Sequence, residues 1–324
     1  MRLKKSGRIL AISAVVILVS FCGACGTGQG GQDNAGSKLD VVATTTQIGD
    51  FVHNVGGDAV DVHQILQPNS DPHDYEPRPE DVEETAGAEL VFINGDNLDH
   101  WMDEVVAQSG GNPKVVDLGK NVPVKLPGER EGEEASKYDP HWWHDPHNAE
   151  AAVKQIRNEL IEADPDHREA YESNARAYLA RIDSLDEGIQ ACIDKVPPEE
   201  RKLVTDHNAF GYFANRYDID VVGAVIPSQS TQAQPSAGET AHLISLIRRE
   251  NVKAVFPESS INPKLAQTIA RETGASADYT LYGDTLGPKG SNGDTYLKME
   301  AANATAMVEG FTGGQESCEL SSSR

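Results

Sequence analysis

The sequence predicts an α/β protein of two lobes, each with a four-stranded, mostly parallel sheet flanked by helices, joined by one long backbone helix. Three observations carry this expectation. Short β-branched apolar runs alternate with helical patterns, the order that produces parallel sheets covered on both faces. The alternation occurs in two separate series. Between them, about thirty residues keep helical periodicity with no proline or glycine cluster to stop it.

In the first series, strands are expected at 39–46, 59–66, 89–94 and 114–118, with helices near 49–55, 79–86 and 98–108. A helical stretch follows His147 and runs to about residue 162. Asp164-Pro165 then supplies a cap and a proline for a first turn. Beyond it Ala170, Tyr171, Ala175, Tyr178, Leu179, Ile182, Leu185, Ile189 and Ile193 recur at helical spacing. A helix over 164–196 would be roughly 45 Å long, far beyond the usual length, which suits a spine between two lobes. In the second series, strands are expected at 202–206, 221–226, 253–257 and 277–282, and helices at 209–217, 237–250, 263–273 and 296–310. The lobes thus cover 39–163 and 197–312, and the tail 313–324 is expected to be loose.

The chain opens with four basic residues among its first eight, then an apolar run from Ile9 to Phe21, then Gly23-Ala24-Cys25. That order reads as a secretory signal over 1–24, too short to be an ordinary spanning helix. Cys25 is the expected site of lipid attachment, although Cys22 stands where such signals usually carry leucine. The Gly- and Gln-rich stretch 25–38 reads as a flexible tether. The protein is therefore expected outside the cytoplasm, held to the cell membrane by a lipidated cysteine. Its formal charge is −23, which makes nucleic acid and anionic membrane surfaces poor partners. Of four cysteines, two belong to the signal region, leaving Cys192 and Cys318. An exported chain can join them in a disulfide; the alternative is two free thiols. No Cys-x-x-Cys pair suggests a structural zinc knuckle.

Three histidines stand out from ten. His73 lies in Pro72-His73-Asp74-Tyr75-Glu76-Pro77, and His141 in Asp139-Pro140-His141-Trp142-Trp143-His144-Asp145-Pro146. The flanking prolines stiffen both loops, and a stiff loop loses less entropy on clamping an ion. His207 ends the expected strand 202–206, Glu258 ends 253–257, and Asp284 follows 277–282. All five therefore fall beyond the carboxyl ends of strands, where open α/β sheets bind ligands. Neutral imidazole is the commonest ligand for zinc and its neighbours. Blander readings apply elsewhere. His53, His63, His167 and His242 read as surface or satisfied core residues, and His100 as a helix-start residue. His144 and His147 read as helix-start residues or as auxiliary ligands at an entry. Glu258 and Glu76 are candidates for orienting a ligand rather than binding metal.

These segments resemble the metal-specific solute-binding lipoproteins of zinc and manganese ABC importers, over nearly the whole mature chain. The resemblance rests on Pro72-His73-x-x-Glu76-Pro77, on Asp139-Pro140-His141-x-Trp143-x-Asp145-Pro146, and on His207-x-Ala209-Phe210-x-Tyr212-Phe213. Phe256-Pro257-Glu258 and Tyr282-Gly283-Asp284-Thr285-Leu286 complete it. It implies one metal site between two lobes, with His73, His141, His207 and Asp284 as ligands, and delivery to a membrane permease driven by a separate ATPase. It also implies a monomer that is not an enzyme. Family members with histidine at the third position resemble zinc binders and those with glutamate resemble manganese binders. His207 therefore points to Zn²⁺ as the cargo, with Mn²⁺ the runner-up. Two departures are visible. The segment 128–134 is short and acidic where many zinc-type members carry a His-rich loop, and His144 stands where the family usually has an aliphatic residue.

The rival from another class is a secreted zinc hydrolase, with Glu76 or Glu258 as base. It would need an open coordination position, and the chain has no His-Glu-x-x-His helix. A third reading, an adhesin on the same fold, has no residue in the sequence to carry it.

Overall fold

Strand β1 (Leu39–Ala43) buries four of its five residues, which places it inside a sheet rather than at an edge. It is followed by helix α1 (Thr46–Gly56), strand β2 (Val60–Gln64), helix α2 (Pro79–Gly87), strand β3 (Leu90–Ile93), helix α3 (Met102–Ser109), strand β4 (Lys114–Asp117) and helix α4 (Pro146–Ala163). The four strands form one parallel sheet in the order β2-β1-β3-β4. This computed structural model describes residues 38–132, 135–318 and 320. The expected signal, Cys25 and the tether up to residue 37 lie outside the described residues, as do 133, 134, 319 and 321–324.

Local chemistry explains where elements differ from expectation. The strand expected to reach residue 46 stops at Ala43, because the Thr45 hydroxyl accepts from the Ile48 N–H at 3.3 Å and starts α1 early. Helix α3 begins four residues later than expected. Gly95, Asp96 and Asn97 all have positive φ, and Asp99 accepts from the N–H groups of Asn94 and Gly95 instead of continuing a helix. Asp145 caps α4, accepting from the His147 N–H at 3.0 Å, with Pro146 in the first turn.

Helix α5 (Arg168–Ile193) is the expected spine, preceded by a short 3₁₀ turn at Pro165–His167. Its 26 residues span about 39 Å. One face buries Tyr171, Ala175, Tyr178, Ile182, Leu185 and Ile189. The second series follows: strand β5 (Lys202–Thr205), helix α6 (Gly211–Tyr217), strand β6 (Asp220–Ala224), helices α7 (Ala237–Glu250) and α8 (Lys264–Thr273), and helix α9 (Tyr296–Thr312). Strands β5 and β6 are parallel. The next two expected strands lie beside them but, among the described residues, pair only through single parallel bridges, Thr205 with Phe256, Ala254 with Ser276 and Glu258 with Leu281. Pro257 has no N–H to give, so a regular ladder cannot run through that segment.

The lobes are not independent. Helix α5 packs on α1, α4 and α9, and one apolar core runs through all four. Asp50 of α1 joins them at a point, accepting from the Tyr178 hydroxyl at 2.8 Å and the Tyr296 N–H at 3.2 Å. The tail departs from expectation between Gly313 and Cys318. Cys192 at the end of α5 and Cys318 are paired as a disulfide, with Cα atoms 5.8 Å apart. The Cys318 carbonyl accepts from the Thr305 hydroxyl of α9, and Leu320 packs on the core. Among the described residues, no helix is long and apolar enough to cross a membrane.

Candidate metal centre

Each candidate ligand is placed by a local device. His73 sits in a 3₁₀ turn at Pro72–Asp74 beyond β2, where Asp71 accepts its N–H at 2.9 Å. His141 follows Asp139, whose Oδ1 accepts the His141 N–H at 3.0 Å and lies 2.7 Å from its Nδ1. His207 follows β5, and Glu258 Oε1 does the same for it, at 3.0 Å from both the N–H and Nδ1. With Nδ1 protonated toward a carboxylate, each ring offers its Nε2 lone pair inward. Asp284 stands on a loop tied to the first lobe. Gln47 donates to the Asp284 carbonyl at 2.9 Å, and the Leu286 N–H donates to the Thr46 hydroxyl at 2.8 Å. Gly283 before it is required by close approach, since a Cβ there would collide with the Glu258 carboxylate.

The result is a closed cluster. His73, His141, His207 and Asp284 are all buried, and each offers a ligand atom within 4.8 Å of the others. Nε2 of His141 and of His207 each lie 3.4 Å from an Asp284 oxygen, and that of His73 lies at 3.8 Å. Both Asp284 oxygens are buried without a well-formed hydrogen bond. Such a carboxylate calls for a cation. Electrostatics say the same. Burial pulls the His141 pKa down, but Asp139 and Asp284 outweigh it and push it up to about 9. Burial likewise opposes the His207 cation, yet Glu258 and Asp284 hold its pKa well above the usual imidazole range. Burial raises the Asp284 pKa, but His207, His141 and His73 drive it well below the usual carboxylate range. Three imidazoles and one carboxylate converging on one buried point are a donor set for a divalent ion.

Of the other candidates, Glu258 lies against His207, whereas Glu76 stays on an exposed rim. That rim belongs to a mouth of about 530 Å³, lined by His73, Tyr75, Glu76, His100, Trp101 and Glu129 among others. His144 is not at an entry. Its ring is buried, stacks on Phe210 at 4.4 Å and pairs through Nδ1 with Glu300 of α9 at 2.8 Å. An entry ligand needs solvent access, and the apolar packing of Phe210 and Trp143 denies it. His147 contacts Arg216. The acidic segment also has a structural use in its described part, where Glu129 accepts from the Ser228 hydroxyl and the Gln229 N–H of the second lobe. The sequence reading missed Asp139, although its spacing two residues before His141 signals it. It also missed the buried polar residues Tyr296, Glu300 and Asn303 of α9, which recur at helical spacing.

Two α/β lobes on a helical spine, with metal-ligating side chains gathered at their junction, define a metal-binding protein. Comparison supplies the family: residues 41–310 match the zinc-uptake complex component A, periplasmic (ZnuA), and the chain belongs to that family. A manganese ABC transporter substrate-binding lipoprotein of Streptococcus gordonii, scaA, is 32% identical over 306 residues, covering 92% of this chain and 97% of its own. The iron-binding protein YfeA of Yersinia pestis is 31% identical over 304 residues, covering 94% and 96%. Among solved structures, the periplasmic zinc binding protein TroA from Treponema pallidum matches with a TM-score of 0.78 at 30% identity, covering 85% of this chain and 99% of that one. The chain is thus the solute-binding component of a metal ABC importer, a type that works with a permease and an ATPase. The family is not enzymatic, which sets the hydrolase alternative aside.

Proposed function

We propose that this protein captures Zn²⁺ with His73, His141, His207 and Asp284 and releases it to its importer's permease, acting as a monomer tethered outside the cell membrane by lipid on Cys25. One observation carries the reading: four ligand atoms within 4.8 Å, three of them imidazole nitrogens, suit a small tetrahedral ion. Glu258 and Asp139 orient two of the rings and act through them. A manganese reading is supported by the name of the Streptococcus gordonii relative. It is weakened here by a donor set poor in carboxylate, since Mn²⁺ favours oxygen ligands in six-fold geometry.

Competitive titration of the metal-stripped chain against Zn²⁺ and Mn²⁺, with elemental analysis, tests this. The expected result is one tightly held zinc per chain, preferred over manganese. His207→Ala removes a ligand and is expected to weaken zinc by more than about 100-fold, beyond the usual cost of losing an orienting partner. Preference for manganese would keep the importer role and overturn the cargo. Cleavage of Cys25→Ser protein into the medium, against membrane retention of the parent, tests the anchor.

A further inference from the structure

Helix α9 touches no candidate ligand through its own functional groups, yet three of its buried polar side chains reach the loops that carry two of them. Tyr296, Glu300 and Asn303 stand at i, i+4 and i+7, one face of the helix, and all three are fully buried. The Tyr296 hydroxyl donates to the Trp143 carbonyl at 2.8 Å. Glu300 Oε1 meets His144 Nδ1 at 2.8 Å, and the His144 N–H donates back to the His141 carbonyl at 3.3 Å. Asn303 takes both backbone groups of Tyr282, accepting from its N–H at 2.8 Å and donating to its carbonyl at 2.9 Å. Tyr282 lies two residues before Asp284. The two loops are also joined directly, Trp143 Nε1 donating to the Gly283 carbonyl at 3.3 Å. On its other side, the His144 ring stacks on Phe210, three residues beyond His207.

We propose that the Tyr296–Glu300–Asn303 face of α9, with His144, is a positioning element that fixes the size of the metal cage and so favours a small tetrahedral ion over one needing six ligands. The physical reason is stiffness. The His141 loop has only the 3₁₀ turn Trp142–His144, and the Asp284 loop only the single bridge of Leu281 to Glu258, to hold their spacing. One helix bonded to both holds them at a single separation, and a cage that cannot expand cannot admit the extra ligands that Mn²⁺ takes. His144 is the part that departs from the pattern the family resemblance implies. An aliphatic residue there could fill the same space but could not be bonded to Glu300. This inference rests on the proposed metal centre.

The test uses the full metal-stripped chain and three probes, Zn²⁺, Mn²⁺ and Co²⁺, the last because its visible bands become intense in tetrahedral coordination. Tyr296→Phe, Asn303→Leu and Glu300→Leu are each expected to keep one ion per chain but weaken zinc about 10–100-fold. They are also expected to dim the Co²⁺ bands and narrow the ratio of zinc to manganese affinity. Glu300→Gln can still accept from His144 Nδ1 and is expected to restore the Co²⁺ spectrum. Where Glu300→Leu or Asn303→Leu fails to fold, Tyr296→Phe decides, because it deletes a single oxygen. Variants that lose zinc and manganese affinity equally, with an unchanged Co²⁺ spectrum, would reduce the face to ordinary structural support and overturn the inference. So would variants indistinguishable from the parent. A parent chain that binds none of the three ions overturns the metal centre itself, a failure separable from the first.

Discussion

A proton and a metal ion compete for the same Nε2 atoms, so acidity must oppose binding at this site. His141 is held up to about 9 by Asp139 and Asp284 against the pull of burial, so below that pH zinc must displace its proton. Zinc affinity is therefore expected to rise steadily from pH 6.5 to 9, read by competition with a chelator at each pH. A flat profile over that range would contradict the site. Stability of the metal-stripped chain should run the other way. The raised pKa contributes stability in full below the ordinary 6.5 and loses it as pH climbs through about 9. The urea midpoint without metal is expected to fall over that window. Asp284 has the opposite sign: its depressed pKa contributes above the ordinary 3.8 and is lost as pH falls further. Gly283→Ala probes the geometry, since its methyl would push on Glu258 and through it on His207. Zinc affinity is expected to drop about 10–100-fold, measured by the same competition.

Between one residue and the whole lie the elements, and there the disulfide is the clearest lever. Cys192 and Cys318 close a loop with a sequence separation of 126, tying the end of the spine to the segment after α9. Replacing both with serine is expected to lower stability by about 2–4 kcal/mol in chemical denaturation, with zinc stoichiometry kept. Loss of zinc stoichiometry in that variant would give the staple a part in the site. Most elements were legible because their periodicity is local: α4, α5, α7 and α8 lie within a few residues of expectation. What was not legible had a non-local cause. Pro257 is visible in the sequence, but which strands lie on either side of 253–257 is set by the fold. The ordered segment 314–318 depends on a cysteine far back in the chain.

At the scale of the molecule, the continuous core through α1, α4, α5 and α9 argues against a wide hinge. Val115 in the first lobe and Leu265 in the second are both exposed and suit spin labels. Their separation is expected to change by less than about 2 Å on zinc binding, the scale of a pre-organised site. A large opening on metal loss would overturn the rigid spine and place release in domain movement. Zinc should also stabilise the fold by mass action, about 4 kcal/mol at a free concentration a thousand times Kd, visible as a shift in melting temperature.

The chain's order of strands and helices, its spine and five potential ligands were readable from residues alone, and the resemblance to the family narrowed the five to His73, His141, His207 and Asp284. Each is announced by a local pattern: alternation, helical spacing, or a histidine or carboxylate beyond the end of a strand. The sequence could not say what stands behind the ligands. That His144 turns inward to Glu300 and not outward to an entry, and that α9 joins two loops, are matters of which surfaces meet. The meetings of 144 with 300 and of 47 with 284 link residues more than a hundred positions apart. Packing decides them, because a buried polar group must find its partner wherever the folded chain brings one.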